Sequence, residues 1–135
     1  MRHVTKVLLC LLPLCVLSLA GCRQKVNEVK EVRLNLGDVK MFSVDPFNGQ
    51  HNVTVSVASD KVPIDLFVVT ESNHAAVLDA LTKENAPDPA KVMASKLRIE
   101  TGALDLTIPA KTGFTVFLSG ARKGEAQVLL KITSK

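Results

Sequence analysis

The sequence predicts an all-β fold: an antiparallel β-sandwich, jelly-roll-like, of about eight short strands with one short helix-loop insert. Three observations carry this. Apolar and polar residues alternate over short stretches, most cleanly in HNVTVSVAS at 51–59. There Val53, Val55 and Val57 share one face, and Asn52, Thr54 and Ser56 share the other. A period of two with one apolar face is that of a half-buried antiparallel strand. Clusters of Gly, Pro, Asn, Asp and Ser break the alternation about every ten residues, the spacing of a sandwich or barrel. Only residues 72–90 leave the two-residue period for a helical one.

Taken in order, Val32, Leu34 and Leu36 alternate with Arg33 and Asn35, and Gly37-Asp38 then turns the chain. Val39 to Val44 is a second short run. Asp45-Pro46-Phe47-Asn48-Gly49 is rich in turn formers and ends in Asn-Gly, a strong turn signal. After the 51–59 strand, Ser59-Asp60-Lys61 turns and Pro63 marks a strand start. IDLFVVTE, residues 64–71, is apolar on both faces from Leu66 to Val69, which predicts a central strand covered on both sides. Ala75 to Glu84 holds helix formers, with Val77, Leu78 and Leu81 on one side. Ser72 or Asn73 caps it, and Pro87 and Pro89 end it. This helix and loop cross from one edge of the fold to another.

Leu97 and Ile99 share a face over Lys96 to Thr101, and Leu104, Leu106 and Ile108 do so over Ala103 to Ile108. Pro109 to Gly113 turns. Phe114, Val116 and Leu118 alternate with Thr115, Phe117 and Ser119. Gly120 to Gly124 turns again, and Ala126, Val128, Leu130 and Ile132 alternate toward the end.

The front of the chain has a different character. Met1 to Lys6 is short and basic, and residues 7–20, VLLCLLPLCVLSLA, carry no charge. That run falls short of the ~20 residues a spanning helix needs, and fits the apolar region of a signal peptide. Pro13 within it disfavours an unbroken helix. Leu19-Ala20-Gly21-Cys22 resembles the bacterial lipobox. The resemblance implies cleavage between Gly21 and Cys22 and transfer of diacylglycerol to the Cys22 sulfur. One acyl chain anchors only marginally, whereas two or three hold firmly. Arg23, where an Asp would favour the inner membrane, points by the same resemblance to the outer membrane, on its periplasmic or surface side. The expected layout is a lipoprotein signal peptide over 1–21, a tether over 22–31 and the sandwich over 32–135.

Composition excludes several function classes. The three cysteines are Cys10, Cys15 and Cys22, so an acylated chain starting at Cys22 has no free thiol. A disulfide framework, Cys-ligated zinc and a cysteine nucleophile are therefore excluded. The net charge of +4 includes Arg2 and Lys6; without them 15 basic residues face 13 acidic ones, a balance of +2. Lys and Arg are spread evenly, and there is no Trp or Tyr to stack on bases, which speaks against nucleic-acid binding.

From residue 64 onward the order of strands is similar to small jelly-roll sandwiches of the pre-peptidase C-terminal and GOLD-like type. The matching stretches are Ile64 to Val69, Leu106 to Gly113, Phe114 to Ser119 and Val128 to Ile132. Phe114 stands where those families favour Tyr. The resemblance implies an accessory role: docking, shielding or binding beside other modules.

No catalytic constellation emerges. His51 and His74 are the histidines after residue 22, and neither has metal-ligand spacing. GxSxG and a Gly-rich phosphate loop are absent from the sequence. Asp45, Asp60, Asp65 and Asp105 lie near strand ends, where calcium sites of sandwiches form, but turn formation also explains them. Asp65 is distinct, since it interrupts an apolar strand and a buried carboxylate needs a partner; Arg98 and Lys61 are candidates. Asn52-Val53-Thr54 matches a glycosylation sequon and is read as chance in a bacterial lipoprotein. The expected function is a lipid-anchored, non-catalytic envelope module for interaction or structure, with no cofactor and no metal. Its expected partners are the membrane, through lipid on Cys22, and an envelope protein. A second reading is an accessory module binding a peptide or glycan, with or without calcium. Oligomeric state is left open.

Overall fold

Alternation becomes two four-stranded antiparallel sheets. The structure, a computed structural model, describes residues 25–120 and 124–135. The strands are β1 (Asn27–Leu34), β2 (Lys40–Val44), β3 (His51–Ser59), β4 (Ile64–Thr70), β5 (Ala94–Ile99), β6 (Thr101–Ile108), β7 (Phe114–Ser119) and β8 (Ala126–Ser134), with one α-helix, α1 (His74–Thr82). One sheet has the order β1-β8-β3-β6 and the other β2-β7-β4-β5. The chain changes sheet at every connection except β4 to β5. This interleaving is that of a jelly roll, as the sequence predicts. No helix among the described residues is long and apolar enough to cross a membrane.

The predicted alternation sets the core. Val53, Val55 and Val57 of β3 point inward with Leu130 and Ile132 of β8. They meet Ile64, Leu66 and Val68 of β4 and Val116 and Leu118 of β7 from the facing sheet. Burying such side chains stabilises by ~1.5–3 kcal/mol each, before entropy is counted.

A second, smaller cluster lies outside the sandwich. Phe67 and Val69 of β4 and Phe117 of β7 project from the outer face of the β2-β7-β4-β5 sheet. Val77 of α1 is buried against them, and Leu78, Leu81, Val39 and Val92 pack around it. The apolar run of β4 is thus covered on both sides, as read. The predicted helix does not cross to another edge of the fold: it joins β4 to its neighbour β5 and packs over the outer face of their sheet.

Several details differ from expectation. β1 begins at Asn27, inside the stretch expected as a tether, and pairs with β8 along its whole length. Its alternation is hidden in the sequence because most outward and inward positions at the sheet edge are polar. Leu36 lies beyond β1 and is 68% exposed. Asn73 is the helix N-cap, but its side chain makes no capping bond and instead donates to Thr70 Oγ1 at 3.3 Å. The helix stops before the prolines: Glu84 takes φ +58, its N–H bonds to Leu81 O, and Asn85 N–H bonds to Ala80 O. That pattern is a Schellman ending with Glu where Gly is usual.

The register also fixes the two ends of the sandwich. Asn27 pairs with Thr133, and Val53 with Ser134, so β1 and β3 start where β8 ends. At the opposite end lie the starts of β2 and β4 and the ends of β5 and β7.

Candidate functional site

The β4-to-β5 connection places α1 on the outer sheet face but leaves part of that face open. At the end where β4 starts and β7 finishes, a cleft of ≈ 950 Å³ lies on the sheet. That size falls within the ordinary range of ligand sites. Asp65 and Phe67 of β4 and Ser119 of β7 project into it because alternation turns them to the outer face. The end of α1 and its following loop supply Leu81, Glu84 and Pro87. On the other side stands the turn of Leu36, Gly37 and Asp38. β5 adds Ser95 and Leu97.

Asp65 owes its place to an irregular strand pair. Between the pairs Ile64–Ile99 and Leu66–Lys96, one residue of β4, Asp65, faces two of β5, Leu97 and Arg98. The extra residue makes a β-bulge, and Arg98 there has φ +54. The displaced Arg98 N–H donates to Asp65 Oδ1 at 2.8 Å. The expected partner, the Arg98 guanidinium, makes no ion pair with Asp65, and neither does Lys61. Asp65 Oδ2 faces Gly120, where a β-carbon would lie 2.7 Å from it.

Two of the large apolar side chains left in solvent flank this carboxylate. Leu36 is 68% exposed and Leu97 is 59% exposed. Among the described lining residues Asp38, Asp65 and Glu84 are acidic, and none is Lys or Arg. Asp38 is partly engaged: its Oδ2 accepts from Asn35 N at 2.9 Å and lies 4.0 Å from Lys40 Nζ.

The other residues singled out in the sequence serve local structure. The His51 ring stacks on Phe47 at 4.2 Å, and its Nδ1 lies 2.8 Å from Gly49 O. His74 Nδ1 lies 2.9 Å from the buried Thr115 Oγ1, and the ring packs on Phe117 at 5.3 Å. Asp60 Oδ1 accepts from Gln127 N at 2.7 Å, and Asp105 accepts from Thr54 Oγ1 at 2.6 Å. Asn52 Oδ1 accepts from Thr107 Oγ1 at 3.1 Å. Among the described residues no three His, Cys, Asp or Glu come together as a metal site. Gly21 and Cys22 lie outside the described residues.

Of the cleft, only Asp65 is singled out by sequence reasoning. Leu36 reads as the end of a strand and Leu97 as a core residue, and Glu84 as a helix terminus. The one signal for them is negative: each falls next to a turn or bulge where alternation loses its hold.

Comparison with known proteins places the fold. No protein-family description matches the chain, and no curated protein matches it. Among solved structures, the pre-peptidase C-terminal domain of collagenase from Bacillus anthracis matches with TM-score 0.54 and 14% identity, over 79% of this chain and 89% of that one. PliG of Aeromonas hydrophila, a periplasmic lysozyme inhibitor of g-type lysozyme, matches with TM-score 0.53 and 11% identity, over 86% and 90%. A third, TmCBM61 in complex with β-1,4-galactotriose, reaches TM-score 0.41 with 10% identity, over 85% and 88%. At these identities the likeness is one of fold.

Proposed function

We propose that this chain is a lipid-anchored, non-catalytic interaction module of the bacterial cell envelope, held at the outer membrane through Cys22. The observation that carries the interaction role is the open cleft on the outer sheet face, where exposed Leu36 and Leu97 flank the carboxylate of Asp65. A concave cleft of this size with apolar side chains at its rim is the usual form of a binding surface. Histidines that would serve chemistry are engaged in packing instead, His51 on Phe47 and His74 on Thr115 and Phe117. Two fold neighbours, a periplasmic lysozyme inhibitor and the pre-peptidase C-terminal domain of a collagenase, support a role in binding. The anchor rests on Leu19-Ala20-Gly21-Cys22 after an uncharged run.

The test is the intact mass of the protein from membranes of its host, beside Cys22→Ala. A chain starting at residue 22 with acyl mass, lost in the variant, is expected. A lipid-free chain cleaved elsewhere overturns the anchor.

The size of the cleft favours a second reading, a ligand-binding accessory module. A peptide suits it better than a glycan, because its aromatic lining residue, Phe67, is 6% exposed and offers no platform for a sugar ring. Thermal shift with peptide, glycan and calcium panels checks this; no shift with any of them removes it.

A further inference from the structure

Building on the interaction role, we infer that the cleft takes an extended peptide segment carrying a lysine or arginine between two apolar side chains. The partner is a protein with such an exposed segment.

Charge complementarity selects the cation. The chain after the signal has more basic than acidic residues, yet the described lining of this cleft has three acids and no base. Asp65 Oδ1 is held by the Arg98 N–H, which fixes the carboxylate in one orientation. A carboxylate has about four lone-pair positions. Among the described residues the one hydrogen bond to the Asp65 carboxylate is that from Arg98 N–H to Oδ1, and Oδ2 lies close against Gly120. Asp65 is half-buried, so a partner ammonium there is screened less than at the open surface. The bond would be charge-assisted.

Sheet geometry selects the flanking residues. Leu36 precedes β2, Ser119 ends β7, Asp65 lies on β4 and Leu97 on β5, and these strands are consecutive neighbours in the sheet. Asp65 and Leu97 lie on adjacent strands, ~4.8 Å apart in strand spacing, and the Leu36 turn borders the cleft on its other side. An extended peptide repeats a side chain on one face every ~6.8 Å. A segment of the form apolar-x-Lys-x-apolar offers its lysine to Asp65 with an apolar side chain toward each wall of the cleft, that of Leu97 and that of Leu36.

The test is fluorescence anisotropy of a labelled peptide, Gly-Ser-Leu-Ser-Lys-Ser-Leu-Ser-Gly, with the purified full chain. Versions with Gln or Glu replacing the lysine are measured beside it, at low and high salt. The lysine peptide is expected to bind, the Gln version about tenfold more weakly and the Glu version not detectably, with affinity falling as salt rises. Asp65→Asn keeps an oxygen for the Arg98 N–H and loses about tenfold. Leu97→Ser, at an exposed position, also loses affinity and decides the matter where Asp65→Asn fails to fold. Asp105→Asn removes the same charge from the other sheet and changes nothing. Equal binding of the Lys, Gln and Glu peptides overturns the cation assignment and leaves the interaction role standing. Equal loss in Asp65→Asn and Asp105→Asn also overturns it. Absence of binding by every peptide overturns this inference and leaves the interaction role standing.

Discussion

Gly120 sits at φ +85 with the Asp65 carboxylate where its β-carbon would be. Backbone and space both demand glycine. Gly120→Ala is expected to lower stability by about 1–3 kcal/mol, read as a shifted midpoint in chemical denaturation. Glu84 is the reverse case: a side chain at φ +58, a position that suits glycine. Glu84→Gly relieves ~1–2 kcal/mol of left-handed strain, offset by the greater freedom of an unfolded glycine. A net gain of about 0.5–1 kcal/mol in the same denaturation series is expected. The need of Asp65 for a donor is legible in the sequence, because a charge interrupts an apolar run. Its donor is not, because a backbone N–H freed by a bulge leaves no mark in residue types.

At the scale of elements, β4 and β7 each work on two faces. For β4 the unbroken run Leu66 to Val69 says so in advance. For β7 it is masked, since Thr115 and Ser119 look like solvent positions yet are 1% and 6% exposed. Thr115 is tolerated there because its hydroxyl meets His74 Nδ1 at 2.9 Å and Ser43 Oγ at 3.3 Å. The helix over Thr115 and Phe117 is short, and Val77 is its buried anchor. A nine-residue helix is marginal alone, so packing holds it. Val77→Ala is expected to cost about 1–3 kcal/mol and to speed amide exchange over 74–82 while the β3 and β8 amides stay protected. Equal acceleration throughout would show that the helix is not a separate unit.

For the whole molecule, eight strands and two layers follow from alternation and turn spacing. Which strand pairs with which does not. The orders β1-β8-β3-β6 and β2-β7-β4-β5 depend on contacts between distant parts of the chain, and alternation is the same for every pairing. The cleft is hidden for that reason. Leu36, Asp65, Leu97 and Ser119 are far apart in sequence, and only the register brings them to one end of one sheet.

The placement of β1 has a consequence for how the molecule stands. It begins at Asn27, and its far end, Leu34, leads into the Leu36 turn beside the cleft. With the chain tied at Cys22 as proposed, Asn27 lies within roughly 17 Å of the anchor. The strand itself then runs roughly 27 Å before the cleft is reached. The molecule would stand like a post with its foot in the lipid and its open hand at the top. Such a post reaches toward what passes through the aqueous space or hangs from an opposing wall, rather than toward neighbours embedded in its own leaflet.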